Sequence, residues 1–205
     1  MTDRLDISQA AMLFVDHQVG LLGMVRDYTP AEFKNNVLAL VDIATTYQLP
    51  TILTTSTESG PNGILMPEIK AAFANAPYIA RPGQINAWDN EDFVKAVKQT
   101  GRKQLIIAGI VTEVCVAFVA LSAIQAGYQV FVVCDASGTF NEAVRQAALM
   151  RMQQGGAILT SWFALACELQ RDWRNEGKRL IKICEDHLPE FKAIYEAYKS
   201  QKDGK

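Results

Sequence analysis

The feature that most constrains the fold is an alternation of short, largely apolar runs with longer segments of helical spacing. The first run is 10–15, Ala-Ala-Met-Leu-Phe-Val, ended by Asp16. It has no polar residues at alternate positions, so a strand here must be buried on both faces. Residues 30–47 follow, with Phe33, Val37, Leu40, Val41 and Ala44 on one helical face. Thr29 stands where an N-cap belongs, and Pro30 suits the first helical position. Pro50 closes that helix and 51–55 reads as a second strand. The pattern continues with a Gly-Pro-Asn-Gly turn at 60–63, a short helix over 67–74, a strand at 78–81 and a loop at 84–89. An amphipathic helix over 90–100 ends at Gly101, and a strand at 104–109 leads into a helix that carries Cys115 near its start. A strand at 129–133, a helix over 141–154 and a strand at 157–160 complete the alternation. From about 163 onward the chain reads as helical, with breaks near Gly177 and Pro189.

Buried strands separated by amphipathic helices predict a parallel sheet covered on both faces, an α/β fold in three layers, α/β/α, of Rossmann-like type. No repeat, low-complexity tract or linker divides the 205 residues. The expectation is one domain over 1–205, with a C-terminal helical extension from about 163. In such sheets ligands bind beyond the carboxyl ends of the strands, at the switch point of strand order. Three polar residues are expected at that edge: Asp16 after the first strand, Arg81 ending the third, and Cys115 just past the fourth.

Composition narrows the function classes. With 49% hydrophobic and 20% charged residues the chain can form a full core, which excludes a disordered protein. A net charge of −2 without a Lys/Arg cluster argues against nucleic acid or an acidic membrane surface as partner. No apolar run reaches the length of a membrane span. The polar opening, residues 1–6, does not read as a signal peptide. The four cysteines, Cys115, Cys134, Cys167 and Cys184, form no C-x-x-C pair, and the expectation is reduced thiols in a cytoplasmic protein. His17 and His187 are the two histidines and lie far apart, so no metal site is expected.

Cys115 carries the strongest chemical signal. A thiol in the first turn of a helix meets unpaired N–H groups and the positive end of the helix dipole. Both favour a thiolate, and the same N–H groups suit a developing oxyanion. Cysteine is also a common small core residue, so position alone leaves both readings open. Asp16 is a candidate base for the thiol, and Arg81 a candidate cation favouring the thiolate. His17 is either a substrate contact or a hydrogen-bonded structural residue. Asn86 and Trp88, in the loop after Arg81, either line a pocket or fix the loop's shape. Two other uses of such a site are a thiol-based redox or transfer enzyme and a non-catalytic oligomeric binding protein.

Four segments carry a family resemblance: 13–18 (Leu-Phe-Val-Asp-His-Gln), 80–90 (Ala-Arg-Pro-Gly-Gln-Ile-Asn-Ala-Trp-Asp-Asn), 107–116 (Ile-Ala-Gly-Ile-Val-Thr-Glu-Val-Cys-Val) and 135–139 (Asp-Ala-Ser-Gly-Thr). The chain resembles the isochorismatase-like cysteine hydrolases, most closely their YcaC-like group. The resemblance implies a six-stranded parallel sheet in the order 3-2-1-4-5-6. It also implies a catalytic triad of Asp16, Arg81 and Cys115. Most relatives have lysine where this chain has Arg81, and arginine keeps its charge under essentially all conditions. A cis peptide at Ile110–Val111 is implied as well, with the Val111 and Cys115 N–H groups forming the oxyanion hole. The metal-binding nicotinamidases of this superfamily carry histidines after the second strand. Residues 56–60 here are Ser-Thr-Glu-Ser-Gly, which disfavours that activity and leaves Glu58 as a substrate contact. The implied function is a cofactor-free hydrolase that cleaves a C–N bond of a small amide-like molecule through a thioester at Cys115. The implied assembly is a homo-oligomer, an octamer.

Overall fold

The computed structural model describes residues 4–203; residues 1–3, half of the polar opening, and residues 204–205 lie outside the described residues. The six strands are β1 (Ala10–Val15), β2 (Thr51–Ser56), β3 (Tyr78–Arg81), β4 (Gln104–Gly109), β5 (Gln129–Val133) and β6 (Ile158–Thr160). They form one sheet in the order 3-2-1-4-5-6, and every neighbouring pair is parallel. Between and after them run α1 (Pro30–Thr46), α2 (Pro67–Ala72), α3 (Glu91–Gln99), α4 (Ala117–Gln125), α5 (Glu142–Gln154), α6 (Trp162–Gln170), α7 (Lys178–His187) and α8 (Pro189–Asp203).

Strand residues divide between two cores because successive side chains point to opposite faces. Met12 and Phe14 of β1, Ile106 and Ala108 of β4, and Phe131 and Val133 of β5 pack with α1, α6 and α7 through Phe33, Leu40, Leu165 and Ile183. Leu13 and Val15, Leu105 and Ile107, and Val130 and Val132 pack on the other face with α3, α4 and α5 through Phe93, Val119, Ala120 and Met152. That double burial is why the strands lack polar alternation. Local signals set the helix starts: Thr29 Oγ1 accepts from the Glu32 N–H, Asn90 Oδ1 from Phe93, Asn141 Oδ1 from Val144 and Ser161 Oγ from Ala164.

The main local departure lies behind β4. The segment expected to start an α-helix is instead a π-helical turn, Thr112–Val116, with α4 beginning at Ala117. Val111 O accepts from both Val114 and Val116 N–H groups, while the Thr112 N–H is drawn away to Gly138 O. Gly109 permits this close packing. A Cβ there would sit 2.2 Å from Val15 O and 3.1 Å from a Val116 methyl. Turns of this kind cluster at functional sites.

Candidate active site

β1 lies between β2 and β4, and strand order reverses there: the chain runs outward to β3 on one side and to β6 on the other. Val15 pairs with Thr54 on one side and Gly109 on the other, so Asp16 emerges at the switch point. Asp16 takes a left-handed backbone conformation, φ 56°, which aspartate tolerates better than most residues. Its N–H is anchored to Thr54 O at 2.9 Å, and its O accepts from Gln18 N at 2.7 Å. Gln18 in turn bridges to Ser56 and Gly63, fixing the loop beyond β2.

Arg81 pairs in register with Ser56 and ends β3 two strands away. Its long side chain reaches back beneath the loop, and both it and Asp16 are fully buried, at 1% and 0% exposure. Nη2 donates to Asp16 Oδ1 in an ion pair, Nε to Thr54 Oγ1 at 3.0 Å, and Nη1 to the backbone oxygens of Gln84 and Ile85. Four of the five guanidinium donors are therefore engaged, and the cation is aimed at the carboxylate.

Cys115 lies half-buried in the π-helical turn, with the peptide Ile110–Val111 before it in the cis form. Its thiol interacts with the Asp16 carboxylate and with the Val111 N–H. Burial pushes the thiol up, and the negative charge of Asp16 pushes it further; Val111 and Arg81 oppose this less strongly. The direction is opposite to the one expected from helix-end placement and a nearby cation, because burial and then the Asp16 charge outweigh both. Burial also raises the Asp16 carboxyl, against the pull of Arg81. Asp16 Oδ2 makes no complete hydrogen bond among the described residues. A buried carboxylate with an unfilled oxygen and a raised proton affinity, next to a neutral thiol, is arranged to receive the thiol's proton.

A cavity of about 160 Å³ opens over these groups, lined by Asp16, Leu21, Met24, Ser56, Asn62, Ile85, Ile110, Val111 and Cys115. A larger cleft of about 630 Å³ lies at the opposite edge of the sheet, beside Pro50, Pro77 and Thr100, and contains none of the candidate residues.

The structure therefore brings together Asp16, Arg81, Val111 and Cys115. It sets the other four candidates apart from the cavity lining. His17 is fully buried, edge-on to Phe14 and stacked on Phe33, with Nε2 donating to Ala136 O at 3.0 Å. Burial holds its imidazole down at about 4, so it is neutral and structural. Glu58 accepts from the Tyr78 hydroxyl. Asn86 caps a short turn by accepting from Trp88 N–H, and its Nδ2 donates to Ser122 Oγ at 3.0 Å. Trp88 packs edge-on against Phe93 and Tyr128. Sequence reasoning missed Thr54, which holds Arg81, and the lining residues Leu21, Met24, Ser56, Asn62 and Ile85. Of these, Asn62 lay in the Gly-Pro-Asn-Gly turn, Ser56 in the segment after the second strand and Ile85 in the segment after Arg81, all of which stood out, but none was singled out as a lining residue. Among the described residues no cluster of His, Cys, Asp and Glu is placed to hold a metal ion, and no helix is long and apolar enough to cross a membrane.

Comparison with known proteins bears on the family and the fold. The model of the isochorismatase domain matches residues 10–163. A curated Escherichia coli protein named "Probable hydrolase YcaC" is 64% identical over 195 residues, covering 95% of this chain and 94% of that protein. The crystal structure of the Escherichia coli YcaC gene product, described as an octameric hydrolase of unknown specificity, superposes with a TM-score of 0.97 at 63% identity, covering 98% of each chain. YcaC from Pseudomonas aeruginosa, solved with hexane-2,5-diol and covalent acrylamide, gives a TM-score of 0.96 at 62% identity, covering 97% of this chain and 98% of that one.

Proposed function

The chain belongs to the isochorismatase family of hydrolases, and from that premise we propose that it cleaves the C–N bond of a small amide through a thioester at Cys115. The observation that carries this reading is the buried Asp16–Arg81 ion pair set beside the Cys115 thiol, at the base of a small, partly open cavity lined by Asp16 and Cys115.

Asp16 takes the thiol proton as Sγ bonds to the carbonyl carbon. The oxygen that gains charge is held by the Val111 and Cys115 N–H groups. The C–N bond then breaks, the nitrogen takes the proton from Asp16, and ammonia or an amine leaves. Water adds to the thioester, giving up a proton to Asp16. The C–S bond breaks, Sγ recovers that proton, and a carboxylic acid departs. Arg81 holds Asp16 ionised at the start of each half-reaction and cannot itself carry the proton. No step calls for a cofactor. The same reading takes the chain as one catalytic domain over 1–205, acting in the cytoplasm.

The assembly proposed is a homo-octamer, supported by the description of the Escherichia coli relative. The covalent acrylamide in the Pseudomonas aeruginosa relative supports a site that admits a small neutral amide. A panel of small amides tested for ammonia release, with Cys115→Ala as control, tests the proposal. Release by wild type alone supports it; equal release by Cys115→Ala removes the nucleophile assignment.

A further inference from the structure

The cavity that holds Cys115 is nearly apolar and has no charge to offer a ligand. Leu21, Met24, Ile85, Ile110 and Val111 form its walls. Asp16 is its single ionised group, and that charge is already matched by Arg81. Arg81 is absent from the lining, with donors turned to Asp16, Thr54, Gln84 and Ile85. A carboxylate entering this space would lose its water and meet Asp16 without a counter-cation, which disfavours its binding.

Two neutral polar groups complete the lining. Asn62 Nδ2 donates to Ser56 O at 3.0 Å, so the two residues lie side by side. Among the described residues neither Asn62 Oδ1 nor Ser56 Oγ has a protein hydrogen-bond partner. Both residues line the cavity, and each oxygen can accept one of the two N–H donors of a primary carboxamide. Size sets the remainder of the molecule. An enclosed apolar cavity of roughly 150 Å³ holds a benzene-sized guest; this one is partly open and measures about 160 Å³, so the part of the molecule beside the amide is short.

Resting on the amide-hydrolase reading above, we infer that the substrate class is the short, uncharged aliphatic primary amide, recognised at its nitrogen by Ser56 and Asn62. Hydrolysis of such a molecule yields ammonia and a short-chain carboxylic acid. The acid product is anionic at neutral pH, so the cavity that accepts the substrate expels the product.

Four probes test this: isovaleramide; malonamate, in which a carboxylate replaces the isopropyl group; N-methylisovaleramide, which lacks one N–H; and the larger aromatic nicotinamide. Acylation of Cys115 is followed by intact-protein mass spectrometry in single turnovers, with ammonia or methylamine release measured alongside. Isovaleramide should acylate at least about 100-fold faster than malonamate, the ratio expected for an unmatched buried charge. N-methylation should cost about tenfold, the worth of one hydrogen bond. Ser56→Ala and Asn62→Ala should shrink that primary-to-secondary ratio toward one, which a merely structural role would not do. If malonamate or nicotinamide acylates Cys115 faster than isovaleramide, the substrate class is wrong while the thioester mechanism stands. An unchanged ratio in both variants overturns the assignment of Ser56 and Asn62. No thioester with any of the four overturns this inference together with the reading beneath it.

Discussion

Replacing Arg81 by glutamine should move the pH at which Cys115 becomes reactive by several units. Arg81 Nη2 is in direct contact with Asp16 Oδ1, and both side chains are fully buried. Two unit charges about 4 Å apart attract by about 4 kcal/mol at an effective dielectric constant near 20. Removing the cation therefore raises the Asp16 carboxyl by about 3 pH units, at 1.36 kcal/mol per unit. The sign follows from the ionised carboxylate being the form that Arg81 favours. Below its raised value Asp16 is protonated and cannot accept the thiol proton, so the reaction fails on the acid side. The rate of Cys115 alkylation by iodoacetamide, followed by peptide mapping across pH, reports this without a known substrate. In wild type the rate should climb to a plateau as Asp16 ionises; in Arg81→Gln the climb should start about 3 units higher. Arg81→Lys separates charge from shape. Its acid limb should stay near that of wild type, but a single ammonium cannot serve Asp16, Thr54 Oγ1 and the Gln84 and Ile85 oxygens together. Each acceptor left unpaired costs about 1–3 kcal/mol, and the variant should unfold at lower urea. An Arg81→Gln profile within half a unit of wild type would refute the claim that Arg81 acts by holding Asp16 ionised.

The remaining tests address other parts of the structure. Limiting iodoacetamide should label Cys115 before Cys134, Cys167 and Cys184: burial pushes all four thiols up, but only Cys115 is hydrogen-bonded to a carboxylate, Asp16, which the proposed mechanism makes its base. Equal labelling of the four at neutral pH would count against the site. Gly109→Ala should destabilise by about 1–3 kcal/mol or more through overpacking, because its Cβ would meet Val15 O at 2.2 Å; a urea midpoint equal to wild type would show that the turn can shift freely. His17 is held at about 4 in the fold against an unfolded value of 6.5. The unfolded chain therefore binds one more proton between those values, and stability should fall on acidification through that window by about 3 kcal/mol. His17→Phe should remove most of that loss, and an undiminished loss in urea titrations at pH 7 and 4.5 would exclude His17 as its source.

The sheet was legible because the strands lack polar alternation, which leaves few arrangements besides a parallel sheet covered on both faces. All six strands lie where the apolar runs put them, and α1 starts where Thr29 caps it; α3 and α5 start one residue later than expected, because Asn90 and Asn141 serve as caps. Strand order was not legible from periodicity and came from family resemblance, whereas Asp16, Arg81 and Cys115 were already candidates from their places at the strand ends. The π-helical turn was hidden because its sequence has ordinary helical character, and what widens it is tertiary: the Thr112 N–H bonded to Gly138 O and the tight approach at Gly109. The thiol's state was misjudged for a related reason. Sequence placed a cation near Cys115 but could not show that Arg81 is turned to Asp16, so that the thiol meets the carboxylate more strongly than the guanidinium. Leu21 and Met24 carried no signal because apolar residues in loops resemble any other; only the packing of their loop over β1 and β4 makes them walls.

The central claim is that Cys115 becomes acylated with Asp16 as its base. The most direct measurement is intact-protein mass spectrometry of single turnovers with isovaleramide, quenched in acid and mapped by peptide. Wild type should gain one acyl group at Cys115 and lose it as product forms. Cys115→Ala should gain none, and Asp16→Asn, folded and assembled by native mass spectrometry, should acylate at least about 100-fold more slowly. An acyl group on another residue, or an assembled Asp16→Asn that acylates at the wild-type rate, would contradict the account.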